Sequence, residues 1–241
     1  MAETTEFDCE SSPTAATGGI RLVAGPIGNL GDVTLRALAL LRDCHAIACE
    51  DTRHTRKLLE RHEIPHKPLL SLHEHNEDHR ITEILARARQ GEIIAVLSDA
   101  GMPTISDPGF RLVRRCIEEG VPVEVLPGPS AVLTAVAGSG LPTDAFYFGG
   151  FLSHKTGKKE KQLERALERV ETSIFFESPH RIAKTLGILA SRAPERAVCV
   201  ARELTKRHET WHRGTAKKLF SAFDGKTARG EITLVIAGDK S

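Results

Sequence analysis

The chain has 241 residues and an apolar share of 40%, enough to bury a real core and too apolar for a chain that stays disordered throughout. Its 33 Lys and Arg nearly cancel 32 Asp and Glu, so no global field draws it to nucleic acid and any such site must be a local patch. The five cysteines (Cys9, Cys44, Cys49, Cys116, Cys199) are far apart and form no CxxC pair, which reads as reduced, buried thiols in a cytosolic protein.

In chain order, residues 1–19 are polar, lack the charged start and apolar stretch of a secretion signal, and are expected to form a disordered extension. No later run approaches the roughly 18 apolar residues of a membrane span. From Ile20 short apolar runs alternate with amphipathic stretches, the pattern of βα units around a largely parallel sheet. Strands are expected at 20–24, 46–49, 69–72, 93–98 and 123–126, with helices at 34–42, 53–61, 78–90 and 110–119 between them. After PGPS (127–130) comes a small-residue helical stretch, AVLTAVAGSG, and the rhythm changes. Strands are then expected at 146–148, 173–176, 198–201 and 232–236, with helices around 160–170, 181–191 and 216–223. This predicts two α/β domains, 20–128 and 129–241, joined near Pro127.

Chemistry concentrates in loops at the carboxyl ends of expected strands, where open α/β sheets place ligands. GPIGNLGD (25–32) spaces its glycines as GxxGxxG, not the GxGxxG of dinucleotide folds, although Glu50 and Asp51 sit near the expected ribose-binding distance. SDAGMPTISDPG (98–109) holds two Asp, two Pro and two Gly, far more restriction than a connector needs, and is expected to press backbone against a ligand. In PGPSA, Ser130 is suited to cap the following helix. The HEHNEDH run lacks the HExxH arrangement and no metal centre is expected there; a phosphate-binding GxxxxGK[ST] loop and a GxSxG elbow are absent.

Nine segments carry a resemblance in order: LVAGPIGNLGDVTLRAL, CEDTRHTRKLL, SLHEHNE, VLSDAGMPTISDPG, VEVLPGPSA, FGGFL, FFESPHR, ARELTKRHE and GEITLVI. With them the chain resembles the 16S ribosomal RNA 2'-O-ribose methylases of the tetrapyrrole-methylase superfamily. The resemblance implies a two-domain α/β, class III methyltransferase fold with S-adenosyl-L-methionine in the cleft between the domains. It also implies a cytoplasmic homodimer that methylates a cytidine ribose near the decoding centre of 16S rRNA in the small ribosomal subunit. Carried over to this chain, Pro26 borders the cofactor, while Ala100, Gly101, Met102 and Ile105 cradle its methionine and ribose. Ser130 and Ala131 contact it from the linker, and Glu177, Ala201 and Thr233 line its adenine side. Relatives usually carry a further C-terminal helical tail beyond the point where this sequence stops.

A ribose hydroxyl is a poor nucleophile, so a nearby base or polarising cation helps. Candidates are Asp99 as base or orienter, Glu50 with Arg53 at the first-domain rim, and Arg202, Glu203 and Lys206 from the second domain; spacing does not choose among them. Phosphate contacts are expected from His154, Lys155, Lys158, Lys159 and Lys161, or from Arg53, Arg56 and Lys57, although a solvated helix face has the same composition. With so little net charge, a preformed ribosomal particle is the expected substrate rather than naked RNA. The competing readings are a small-molecule tetrapyrrole methylase, a nicotinamide oxidoreductase and a non-catalytic RNA-binding module.

Overall fold

A computed structural model describes residues 18–73, 76–226 and 228–239. Cys9, the expected N-terminal extension up to residue 17, and His75 of the HEHNEDH run therefore lie outside the described residues.

The first half folds around five strands, β1 (Gly19–Val23), β2 (Ala46–Cys49), β3 (Leu69–Ser71), β4 (Ile93–Leu97) and β5 (Val123–Leu126). They lie in the order β3-β2-β4-β1-β5 and every pair is parallel. Between them run α1 (Leu35–Asp43), α2 (Thr52–Arg61), α3 (Glu77–Arg89) and α4 (Phe110–Glu118). Successive strand residues face opposite sides of a sheet, and here both sides are covered. Ile20, Leu22, Ala48, Ile94 and Val96 pack with Ile81, Ile84 and Leu85 of α3 and Leu112 of α4. Their neighbours Val23, Ile47, Ala95 and Leu97 pack with Leu41 of α1 and Leu58 and Leu59 of α2. This double burial is why these strands read as unbroken apolar runs. Helices α1 and α2 start on side-chain caps: Thr34 accepts from the Ala37 N–H, and Asp51 from the Arg53 N–H.

The second half contains α5 (Ala131–Ser139), β6 (Phe146–Phe151), α6 (Thr156–Glu168), β7 (Thr172–Glu177), α7 (Ile182–Arg192), β8 (Ala197–Arg202), β9 (Thr210–Thr215), α8 (Ala216–Phe223) and β10 (Ile232–Ile236). Its sheet order is β6-β7-β10-β8-β9, and only β6 and β7 run parallel. Helices α6, α7 and α8 cover one face. Helix α5 covers the other, where Val132, Ala135 and Val136 pack with Ile174, Cys199, Ala201 and Val235. Ile27, from the loop after β1, enters this same cluster, so the two halves share a core.

The change of rhythm after PGPS corresponds to a change of sheet type: the second sheet is mainly antiparallel, with β10 and β9 both pairing antiparallel to β8. One feature departs from the sequence reading. Strand β9, TWHRGT, was not expected at all: it is an edge strand with no apolar alternation, held by its ladder to β8. The basic run at 154–161 also needs correction. His154, Lys155, Lys158 and Lys161 are exposed, but Lys159 is 3% exposed and belongs to the interior of the second half.

Cys44, Cys49, Cys116 and Cys199 are all buried and free. Burial pushes the thiols of Cys44, Cys116 and Cys199 up to about 11, and raises that of Cys49. At pH 8 a thiol of that kind is thiolate on the order of one part in a thousand. Iodoacetamide at pH 8 is therefore expected to leave these four unmodified in the native protein while alkylating all of them in guanidinium, as read by mass spectrometry.

Candidate active site

The helices that follow β1 and β4, α1 and α4, pack on opposite faces of the first sheet. The loops leaving these two adjacent strands therefore diverge, which opens a crevice at their carboxyl ends. Two backbone hydrogen bonds tie the loops together again: Gly25 N–H donates to the Gly101 carbonyl and Gly101 N–H to the Gly25 carbonyl, each at 2.9 Å. A Cβ on Gly25 would lie 2.1 Å from the Ser98 carbonyl oxygen, and Gly101 has φ +76°, so both glycines are demanded by geometry. Within the same 98–109 loop, Thr104 (φ 72°) and Ser106 (φ 64°) are held in the left-handed region that such residues rarely adopt.

Facing these loops is the 203–209 segment after β8, in which Glu203 (φ 55°) and Thr205 (φ 63°) are similarly strained. It is pinned from several directions. The Thr205 N–H and the Trp211 indole N–H both donate to Glu209, which lowers that carboxyl below its usual range. Glu203 accepts from Lys206 at 2.8 Å and from the Glu231 N–H at 2.9 Å, and its carboxyl is lowered chiefly by the Lys206 hydrogen bond. Contact across the crevice is direct: Asn29 N–H donates to Thr205 Oγ1 at 3.1 Å. A Cβ on Gly28 would meet Lys206 Cγ at 2.4 Å and the Leu204 carbonyl oxygen at 2.9 Å.

Between the two sheets this leaves a cavity of about 320 Å³. Nine of the ten residues expected to hold a cofactor line it: Ala100, Gly101, Met102 and Ile105 from one side, Ser130 and Ala131 at the start of α5, and Glu177, Ala201 and Thr233 from the second sheet. Ser130 also caps α5, accepting from the Leu133 N–H. The tenth, Pro26, lines a neighbouring cavity of about 310 Å³ that shares Ile27, Ala100 and Glu231 with the first. Ile27, Asp107, Phe151, Phe176, Leu204 and Glu231 line the main cavity without having been singled out from sequence. Asp107 and Glu231 lay inside quoted motifs; only their approach across the crevice marks them. Asp107 is raised by burial, against a hydrogen bond from Ser98.

Glu177 is a special case. Its carboxylate is buried and engaged on every side: by Lys159 Nζ at 2.8 Å, Thr185 Oγ1 at 2.6 Å, the Ser178 N–H at 2.7 Å and Arg181 at 2.7 Å. The side chain is thus a brace for the ESPHR turn, whose Ser178 and Pro179 border the cavity.

Of the six catalytic candidates, Asp99 and Lys206 line the second cavity, and Glu203 is held by Lys206 behind it. Glu50 lines a small hollow beside Pro103 and Asp107 on the far side of the 98–109 loop. Arg53 is 81% exposed, clamped onto Asp51, and outside both cavities. Arg202 is directed at Thr210 Oγ1 and at the carbonyls of Arg229 and His208, so it fastens the 229–231 segment rather than reaching the crevice. Asp51, His54 and Asp99 bring one ligand atom each within 4.8 Å of one another, the only such grouping among the described residues. Both Asp51 oxygens are already occupied by Arg53, and we assign no metal to them.

The main cavity presents small residues (Ala100, Gly101, Ala131, Ala201) that bring backbone edges to its surface, apolar walls, and, besides the internally engaged Glu177, the carboxylates of Asp107 and Glu231. That combination fits a ligand with a flat heterocycle, a ribose and a cationic centre, as S-adenosyl-L-methionine has.

The comparisons define the class. The model of the Tetrapyrrole (Corrin/Porphyrin) Methylases matches residues 19–219. The fold is shared with a cobalamin biosynthetic enzyme, cobalt precorrin-4 methyltransferase (TM-score 0.67, 18% identity, covering 90% of this chain and 94% of that one). It is also shared with uroporphyrin-III C-methyltransferase from Thermus thermophilus (TM-score 0.63, 21% identity, 91% and 94%). At much higher identity stand proteins named ribosomal RNA small subunit methyltransferase I. That of Thermotoga maritima is 46% identical over 222 residues, 92% of this chain and 99% of that protein. That of Bacillus subtilis is 43% identical over 224 residues, 93% of this chain and 76% of that protein. The chain therefore belongs to the tetrapyrrole methylase family and, within it, to the ribosomal RNA small subunit methyltransferase I group. The Thermotoga protein is matched over nearly its whole length, whereas the Bacillus protein extends beyond the matched region.

Two variants test the architecture. Gly28→Ala forces the first loop off the 204–206 turn, an overpacking cost of about 1–3 kcal/mol. Calorimetry is expected to show S-adenosyl-L-methionine binding weakened about tenfold to a hundredfold. Lys159→Ala leaves the buried Glu177 carboxylate without its ammonium partner and is expected to cost about 3–5 kcal/mol in urea unfolding. Lys158→Ala, one residue away and exposed, is expected to cost less than about 0.5 kcal/mol.

Proposed function

We propose that the chain transfers a methyl group from S-adenosyl-L-methionine to the ribose 2'-hydroxyl of a cytidine in 16S rRNA near the decoding centre, within the small ribosomal subunit. The observation that carries this reading is the 46% identity over 92% of the chain to a protein named for methylation of small-subunit ribosomal RNA. The crevice supports it, because its lining suits the cofactor and a second cavity opens directly beside it. In this reading the domains are 20–128 and 129–241, and the protein works as a cytoplasmic homodimer. Its buried free thiols suit a reducing compartment, and no helix among the described residues is long and apolar enough to cross a membrane.

Bound in the main cavity, the cofactor supplies a methyl group activated on positively charged sulfur. The protein's own contribution is positional: a reactant pair held at near-attack geometry gains much of its rate from orientation alone. Backbone around Ala100 and Gly101 is fixed by the Gly25 pair, while the opposite wall, around Ala201 and Thr233, is fixed in the β8–β10 ladder. Lys206 stands at the junction of the cavities. Burial opposes its charge, but hydrogen bonds to Glu203 and Glu231 outweigh this and raise its pKa, so it remains an ammonium. Asp99 and Lys206 are thus the catalytic candidates placed to act, with Arg202 positioning the 229–231 segment. Glu50 and Arg53 serve the rim.

The test is transfer from labelled S-adenosyl-L-methionine to small subunits that lack the modification, followed by nucleoside analysis. Label is expected in 2'-O-methylcytidine, and assembled subunits are expected to outpace protein-free 16S RNA. Label entering a tetrapyrrole and not the subunit would overturn the reading; equal rates on subunit and free RNA would overturn the preference for the particle.

A further inference from the structure

The second cavity has a chemistry of its own. Its apolar floor comes from Ile27, Leu30 and Leu58, and its polar walls from His54 and Lys57 of α2, Asp99 in the loop after β4, and Lys206 and Glu231 from the second half. His54 lies in the first turn of α2, and its Nδ1 is 3.3 Å from Asp99 Oδ2. The other oxygen of Asp99 accepts from the Asp51 N–H at 3.3 Å, so the carboxylate is anchored to the start of that helix. With Asp99 accepting from Nδ1–H, the imidazole is held in the tautomer whose Nε2 is a free acceptor. Carboxylate, imidazole and an adjacent cavity repeat the relay by which a base is oriented toward a hydroxyl.

We propose that this cavity is the acceptor subsite, that it receives the reacting ribonucleotide of a single-stranded RNA segment, and that His54, oriented by Asp99, accepts the proton of the 2'-hydroxyl. The proposal rests on the RNA methylation reading above and assigns its base. In the step, the 2'-oxygen forms a bond to the methyl carbon as the carbon–sulfur bond breaks. That electron pair stays on sulfur, which becomes a neutral thioether. The hydroxyl proton passes to Nε2, and the resulting imidazolium is stabilised by the Asp99 carboxylate. His54 is 60% exposed, so the proton then leaves to water and the base is restored.

The charged groups around His54 have other roles. Asp51 is held well below the usual carboxylate range by the side-chain and main-chain hydrogen bonds from Arg53, and is no proton acceptor at neutral pH. Lys206 stays protonated between two carboxylates. Lys57, an exposed ammonium on the same helix as His54, is available to the phosphate of the bound nucleotide. Apolar floor and cationic rim together match an unstacked nucleotide, the form in which RNA is usually recognised.

The test uses the full chain with small subunits, in wild type, His54→Ala and Asp99→Asn. His54→Ala is expected to slow single-turnover methylation at saturating subunit by about a hundredfold or more, the usual contribution of a general base. Cofactor affinity by calorimetry and subunit affinity are expected to stay within about threefold, with added imidazole restoring part of the rate. Independently of activity, the ¹⁵N shifts of the His54 ring are expected to report the Nδ1–H tautomer in wild type and its loss in Asp99→Asn. A His54→Ala rate within about threefold of wild type overturns the inference. So does a slow rate that imidazole does not rescue and that tracks a loss of subunit affinity, or a tautomer indifferent to Asp99. Wild-type protein that labels no subunit at all overturns the RNA reading itself, and is distinguished from the others by that control.

Discussion

The crevice depends on backbone meeting backbone. Loops leaving β1 and β4 diverge to opposite faces of the first sheet, yet Gly25 and Gly101 exchange two hydrogen bonds and close the gap between them. The neighbouring Gly28 then lets the same loop press against the 204–206 turn of the second half. A side chain at either Gly25 or Gly28 would occupy the space of a main-chain atom. Because the interior is close-packed, the intrusion would push on the Ser98 backbone in the first case and on the 204–206 turn of the other half in the second.

Around this seam the strain is concentrated. Thr104 and Ser106 on one wall, and Glu203 and Thr205 on the other, hold left-handed backbone that costs free energy unless the surroundings enforce it. The enforcement is visible: Glu209 takes two N–H donors, Glu203 and Glu231 share Lys206, and Arg202 fastens the carbonyls of Arg229 and His208. Most of the charge in ARELTKRHE is therefore spent on holding loop shape. Glu177, Lys159 and Arg181 do the same for the ESPHR turn from inside the second half. A methyltransferase gains from this arrangement, since positioning supplies much of the rate when the methyl donor is already activated.

The charged side chains near the crevice divide by what already binds them. Arg53 and Asp51 satisfy one another at the rim. Lys206 sits between two carboxylates at the point where the cavities join. Asp99 and His54 form a pair through one imidazole nitrogen, on a ring that is 60% exposed. Sequence chemistry puts Glu50, Arg53, Asp99, Arg202, Glu203 and Lys206 forward together as charged groups near the loops, and does not choose among them. Their separate partners are what assign different work to each.

From the sequence alone, the elements of the first half are legible within one or two residues, because strands buried on both faces must be continuous apolar runs and helices must carry one apolar stripe. The cavity-lining loops are legible too, since a connection as rich in Gly, Pro and Asp as 98–109 has no need of those residues merely to turn. The sequence does not reveal β9, whose polar residues are held by a ladder to β8 and not by burial. Nor does it reveal the antiparallel second sheet, because strand direction is a property of pairing and leaves no periodic signal. The burial of Lys159 escapes it as well, since a lysine inside a basic run looks the same whether it meets solvent or a carboxylate contributed by β7. Tertiary structure alone decides which of the many charged residues converge: His54 and Asp99 are 45 positions apart, and Gly28 and Lys206 are brought into contact from opposite halves. Local sequence fixes what a segment is, through propensity and burial pattern. What it faces is set by how the sheets pack, and the chemistry of this site is a matter of what faces what.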